Sequence, residues 1–351
     1  MDLFEVTIPT TVDAPDAADF VEAVGVRNAV EADGFGTEAF SFTPAETLPR
    51  WLDQKHHPGR MFAARVDGRI VARGFIETIP DGDGTGWIGT QVLPAHRRAG
   101  IGTALADRLE AVAREWGLTK VIVYTVSKSG PGPRLDSPTG FGSVPRDNGE
   151  VRFLRGRGYQ LEQVERASLL ELPVDVSGPL ESALSESGAD YRLHTWIGDT
   201  PPQWRSDIAT LLTRMSTDAP TAGLEEPEDV WTVDRLLESE RLHAADPRTE
   251  LFAAVEHVPT GRLAGFTVLN APRELDRAVG QEDTLVLREH RGHRLGMLLK
   301  LANLAHLQEQ KPGHPVVVTF NAEENRYMLS VNEAVGFTPI GHEGAWKKEL
   351  S

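Results

Sequence analysis

One stretch of this chain occurs twice. Residues 90–125, TQVLPAHRRAGIGTALADRLEAVAREWGLTKVIVYT, align without a gap on residues 284–319, TLVLREHRGHRLGMLLKLANLAHLQEQKPGHPVVVT, at an offset of 194. Thr90, Val92, His96, Arg97 and Gly102 fall on Thr284, Val286, His290, Arg291 and Gly296, and Thr125 falls on Thr319. Each copy then closes alike, with VRFLRGRGYQLEQ in one and LSVNEAVGFTPIG in the other. The period is the size of a domain, so the repeat marks a duplicated domain and not a solenoid. The 351 residues also exceed the roughly 250–300 at which one hydrophobic core stops growing.

The two halves read alike. In the first, FEVTIP reads as a strand, and residues 15–32 and 43–55 read as helices. MFAARVDGRIVARGFIET is a hairpin turning at Asp67-Gly68, followed by the strand GWIGTQV. Ile101, Leu105, Leu109, Val112 and Trp116 recur at helical spacing, and KVIVYT follows as a buried strand. The second half repeats this order: strand RLHTW, helices near 203–218 and 228–241, hairpin 251–269, strand DTLVL and helix 296–310. Strand VVVTF, helix 324–335 and a final pair of strands complete it. The expected class is mixed α/β in two units, 1–175 and 190–351. Residues 176–189, rich in Ser, Gly and acids, join them. Residues 127–149, rich in Ser, Gly and Pro, interrupt the first half as a surface insertion or lid.

Composition excludes several classes. With no cysteine, disulfides, thiolate metal sites and a cysteine nucleophile are impossible. His56-His57 lacks a partner at metal-ligand spacing, so no metal is expected. A net charge of −16 repels phosphate backbones, so nucleic acid is not an expected partner. No run approaches the roughly 18 apolar residues of a membrane span, and no signal peptide is visible. A cytoplasmic location and no membrane partner are the expectations.

The repeated turn carries the chemistry. A helix N-terminus presents unpaired N–H groups and partial positive charge, and glycine lets a ligand approach the backbone, which together make a seat for pyrophosphate. The turn has no lysine for a P-loop. Gly100 and Gly102 are followed by Leu105 where a dinucleotide-binding turn has a third glycine. Arg97-Arg98-Ala99-Gly100-Ile101-Gly102, preceded by Val92-x-Pro94 and closed by Gly158-Tyr159, resembles the coenzyme A turn of the GCN5-related N-acetyltransferase (GNAT) superfamily. Arg291-Gly292-His293-Arg294-Leu295-Gly296, closed by Gly336-Phe337, resembles it again, so the resemblance covers nearly the whole chain as two GNAT-like domains.

The resemblance implies, in each domain, a mostly antiparallel mixed sheet flanked by helices, with a V-shaped opening between the fourth and fifth strands. Acetyl-CoA would enter there as co-substrate. In the first copy Gln91, Val92, Arg97, Arg98, Ala99, Gly100, Ile101, Gly102 and Thr103 would bind it. In the second copy Val286, Arg291, Gly292, Arg294 and Gly296 would do so, with Arg294 standing where the first copy has Gly100. A primary amine of a small molecule would attack the thioester directly. The family's usual acid, a tyrosine four residues before the closing glycine, is replaced by Leu154 and Asn332. Tyr124 and Tyr327 are substitutes by type, or aromatics packed in the core. Glu77, Glu282 and Asp283 are base candidates; Asp283 aligns with Gly89, so the copies do not share that base. Asn321 ends the fifth strand of the second copy, and Asn325 and Asn332 follow at helical spacing as caps or as a polar lining. An N-acetyltransferase is the leading reading. A non-catalytic acyl-CoA-binding or sensor protein and an interaction scaffold are the alternatives. Two such domains could pack as an internal pseudo-dimer, leaving the protein monomeric.

Overall fold

The computed structural model describes residues 1–80 and 82–350. The first half runs β1 (Asp2–Glu5), α1 (Ala18–Phe35), α2 (Pro44–Leu52), β2 (Gly59–Val66), β3 (Arg69–Thr78), β4 (Thr85–Val92), α3 (Ile101–Glu115) and β5 (Lys120–Ser127). A short ribbon of β6 (Arg134–Asp136) and β7 (Ser143–Pro145), then α4 (Gly149–Gly156) and β8 (Gln160–Glu171), complete it. The second half runs α5 (Ser177–Ser187), β9 (Tyr191–Ile197), α6 (Arg205–Asp218), α7 (Val233–His243), β10 (Thr249–His257), β11 (Arg262–Ala271) and β12 (Val279–Val286). It ends with α8 (Leu295–Gln310), β13 (Val316–Ala322), α9 (Arg326–Val335) and β14 (Thr338–Glu349).

Local chemistry sets many of these boundaries. The β2–β3 hairpin turns at Asp67 and Gly68, both at positive φ, as a two-residue turn of the twist-matching kind requires. Thr43 and Glu46 form a capping box at the start of α2, with Pro44 in its first turn. Asn325 caps α9 through Met328 N–H, so the polar lining expected of it is a helix cap.

Twelve strands form one sheet in the order β1-β2-β3-β4-β5-β14-β8-β13-β12-β11-β10-β9. The final pair of strands expected in the second half is one long strand, β14. It pairs antiparallel with β5 of the first half along Lys120–Ser127. Reciprocally, β8 of the first half pairs with β13 of the second along Val316–Ala322. The two also pair with each other, with Glu165 opposite Glu343. Each half thus closes the other's sheet. Without that exchange β5, β8, β13 and β14 would carry unpaired edges, which proteins do not leave bare.

Helices α3, α4, α5, α8 and α9 pack on one face and α1, α2, α6 and α7 on the other. Residues 177–187, expected as linker, form α5, which lays Leu180 and Ala183 against the core of α8. The insertion at 127–149 is not a free lid: Val144 is fully buried beside Val151 and Val164.

Segments also cross between halves on the α1/α6 face. Phe35 and Phe40 pack edge-on and tilted against Phe320, with centroids 5.7 and 4.8 Å away. Leu224 returns the contact onto Ile122 and Ala345. The fully buried carboxylate of Glu46 receives both amino groups of Arg277, at 2.8 and 2.7 Å, and Arg248 lies at 3.3 Å. Removing one partner of such a buried pair costs about 3–5 kcal/mol, because the other charge is stranded. Among the described residues no helix is long and apolar enough to cross a membrane.

Shared strands and buried ion pairs should make unfolding one cooperative event. Scanning calorimetry is expected to show one transition with matching calorimetric and van't Hoff enthalpies. Two resolved transitions, one per half, would contradict the coupling.

Candidate active site

In the first half β4 and β5 run parallel only from Thr85↔Lys120 to Trp87↔Ile122, then diverge. The gap holds a cavity of about 800 Å³. Its walls are Ile88, Thr90 and Val92 of β4 and Val123, Thr125 and Val126 of β5, with Gly100, Gly102 and Thr103 at its mouth. Arg97, Arg98, Lys128 and Arg152 line the same cavity, against Asp33 and Glu150. A basic rim in a chain of charge −16 is a local concentration of cation where a helix N-terminus already favours anions.

The turn is built the same way twice. Arg97 Nε donates to Val92 O at 3.0 Å and its Nη1 meets Asp33 at 3.0 Å. Arg291 Nε donates to Val286 O at 3.1 Å and its Nη2 meets Asp218 at 3.0 Å. The first arginine of each turn therefore ties the loop to its strand and to α1 or α6. Each turn then takes two left-handed residues, Arg98 and Gly100 in one, Gly292 and Arg294 in the other. Only the order of glycine and arginine is exchanged, so the backbone cradle survives Arg294.

What fills the cradles differs. A Cβ on Gly102 would meet nothing closer than 3.5 Å, and Phe153 stands beside it. In the second half a Cβ on Gly296 would meet only Tyr327, at 3.9 Å, so the two glycines leave equal room; the difference is that Arg294 is salt-bridged to Glu186 of α5. Tyr191 of β9 hydrogen-bonds His290 at 3.1 Å. The second turn is thus engaged by side chains of its own chain.

Several expected residues lie elsewhere. Glu77 is salt-bridged to Arg50 of α2 and sits opposite Trp87, where β4 and β5 are still joined. Tyr124 points to the α1/α6 face and donates its hydroxyl to Glu226 at 2.6 Å. Burial, with Glu226 beside it, pushes its pKa well up, so it stays a protonated donor. Glu282 and Asp283 occupy a bulge in β12, where pairing jumps from Thr267↔Thr284 to Leu269↔Gln281. Burial raises both to about 6, with Asp283 adding to Glu282. Asn321 Oδ1 accepts from Asn332 Nδ2 at 2.6 Å, and Asn332 Oδ1 is buried with no partner. Leu154, at the position of the family's tyrosine, lines the first cavity. Gln91 turns its side chain to the α1 face, where Nε2 donates to Glu31 at 2.8 Å and Oε1 accepts from Arg73 at 2.7 Å.

The residues that sequence reasoning missed lie at the centre. Glu165 and Glu343 each stand seven residues after the closing glycine of their copy, Gly158 and Gly336. Strand exchange sets them face to face across the pseudo-twofold axis. Burial, compounded by Glu226 and Glu324, raises Glu165 to about 7. Burial and the facing Glu165 push Glu343 up as well. Extending the repeat alignment past the closing glycines would have matched these two positions, though not their contact.

A carboxyl whose pKa rises on folding stabilises the fold below its unfolded value, and that contribution is lost as pH climbs through the folded value. Glu165→Gln is therefore expected to raise Tm at pH 8 and leave it unchanged at pH 4. An equal shift at both pH values would show that the carboxyl titrates normally.

The comparisons agree with this geometry. Residues 29–131 match the model of the Acetyltransferase (GNAT) family. A tandem GNAT protein from the clavulanic acid biosynthesis pathway superposes with a TM-score of 0.73 at 26% identity, over 99% of this chain and 98% of that one. A GCN5-related N-acetyltransferase from Sphaerobacter thermophilus superposes with a TM-score of 0.62 at 17% identity, over 98% and 97%. No curated protein matches the sequence. The first half thus carries a match to the GNAT family's model, and the chain as a whole resembles a tandem GNAT protein in its fold.

Proposed function

We propose that the chain transfers an acetyl group from acetyl-CoA to a primary amine of a small molecule, and that the first-half cleft is where it does so. The observation that carries this is the open, basic cavity between β4 and β5 at the N-terminus of α3. Arg98, Gly100, Ile101, Gly102 and Thr103 would hold the pyrophosphate with backbone N–H groups. The diverging edge of β4 at Thr90–Val92 offers free backbone groups to the pantetheine and to the oxyanion.

Chemistry then needs a proton acceptor on the far side of the sheet from the phosphates. Glu31 of α1 fits: Gln91, on the cleft strand, holds it by a hydrogen bond. The amine nitrogen attacks the thioester carbonyl, the C–S bond breaks, and the ammonium proton passes to Glu31. With Leu154 in the place of a donor, the sulfur leaves as thiolate, a leaving group good enough to need no donor, and then takes a proton from solvent. The second half, its turn bridged by the Arg294–Glu186 ion pair, serves by closing the sheet.

Calorimetric titration of acetyl-CoA into the wild type, Gly102→Glu and Gly296→Glu tests the placement. Binding is expected to vanish in Gly102→Glu and persist in Gly296→Glu; the reverse would move the cofactor to the second half and the search for a base to Glu282 and Asp283. General-base removal costs roughly 10²–10⁴-fold. Glu31→Gln is thus expected to lower kcat by about that much with acetyl-CoA affinity unchanged, and unaltered kcat would exclude Glu31.

A further inference from the structure

The mouth of the first-half cleft holds a negative charge where an anionic donor would enter. Arg97 follows β4 and Lys128 follows β5, the two strands that part to form the cleft. Asp33 of α1 stands between them. Its Oδ2 meets Arg97 Nη1 at 3.0 Å, and its Oδ1 meets Lys128 Nζ at 2.9 Å. All three residues line the cavity. One carboxylate thus straps the two lips of the cleft together across its mouth.

Gly34 brings α1 close enough for this. A Cβ there would stand 2.5 Å from both γ-carbons of Val126, so glycine is what lets the last turn of α1 lie on the end of β5. The two cations are also held without Asp33. Arg97 Nε donates to Val92 O at 3.0 Å, and Lys128 O accepts from Asn148 Nδ2 at 2.7 Å. The second half is built differently at this point. Asp218 of α6 holds Arg291 at 3.0 Å and Arg288 at 3.2 Å, but both of those arginines follow β12. That carboxylate joins α6 to one lip, whereas Asp33 joins both.

The strap can be exchanged. The Arg97 and Lys128 side chains are 43% and 63% exposed, and exposed ion pairs are weak and screened by salt. The hydrogen bond from Lys128 holds Asp33 below the usual carboxylate range, so it stays ionised at neutral pH. A phosphate offers more charge and more acceptor oxygens than a carboxylate, and both cations suit it. Once there, it would face Asp33 as a like charge.

We infer that Asp33 is a positioning residue that competes with the phosphates of coenzyme A for Arg97 and Lys128, and so sets how tightly the coenzyme is held before and after transfer. This rests on the reading of the first-half cleft as the coenzyme A site.

Carbodiimide treatment of the wild type tests the contact, because it condenses a carboxylate with an amine at ion-pair distance. An amide joining Asp33 to Lys128, read by peptide mass spectrometry, is expected in the empty protein and should fall severalfold with saturating acetyl-CoA. No such amide in the empty protein would overturn the strap, and an equal yield in both states would overturn the exchange. Calorimetric titration of acetyl-CoA into Asp33→Asn is expected to show binding roughly tenfold tighter than wild type at low ionic strength. That gain should shrink towards one in about 1 M KCl, where the Debye length is about 3 Å. Asp33→Glu, which keeps the charge, should bind as the wild type does. A merely structural role would weaken binding in Asp33→Asn by a factor that salt leaves alone. Equal or weaker binding by that variant at low salt would overturn the competition. Failure of the wild type to bind acetyl-CoA would instead overturn the cleft reading on which the inference rests.

Discussion

A strand inside a sheet needs a partner on each side, and in this protein the inner strands of each half find theirs only in the other half. β8 and β14 lie side by side at the centre of a twelve-stranded sheet, each pairing with the fifth strand of the opposite half. The rest of the architecture depends on that exchange. It fixes the pseudo-twofold axis, brings the Phe35–Phe40 segment onto β13, and brings the Leu224 segment onto β5. It also buries Glu46 between the halves with its arginines. A domain that borrows a strand has no independent edge to close, so duplication here produces one body with an internal axis.

The exchange also creates an electrical gradient through the first half. One mouth of the cleft, at Arg98, Lys128 and Arg152, is basic and lies at a helix N-terminus. The opposite face carries Glu31, Glu165, Glu226, Glu324 and Glu343. The second half contributes to this polarity without repeating it. Its turn keeps the same backbone, but Arg294 and Glu186 occupy it, and a bulge with Glu282 and Asp283 alters its fourth strand. Copies that began alike have diverged through side chains laid on a retained backbone.

The repeated turn was legible because its requirements are local. Positive φ, a helix start and a strand end are written in consecutive residues, and Arg97 and Arg291 tie their loops in the same way. The hairpins and most helices were legible for the same reason. The candidate catalytic residues were not. Glu77 satisfies every local criterion for a base, yet Arg50 holds it away from the opening. Tyr124 has the right chemistry, but strand alternation turns it to the α1/α6 face, where its hydroxyl is held by Glu226. Burial and charge balance are sums over distant segments, and no window of sequence contains them.

The sequence by itself determined that the domain is duplicated, that each copy carries a turn of glycine and arginine between a strand and a helix, and that no cysteine chemistry is possible. Those properties follow from residue type and short spacing. Only the tertiary structure decided where the final strands go and which face of the sheet each candidate side chain takes. The pairing of Glu165 with Glu343 belongs to the second kind: 178 positions apart in the chain, they meet because two sheets exchange their closing strands. Hydrogen-bond pairing between strands is indifferent to sequence separation. Its outcome is set by which exchange leaves no edge bare.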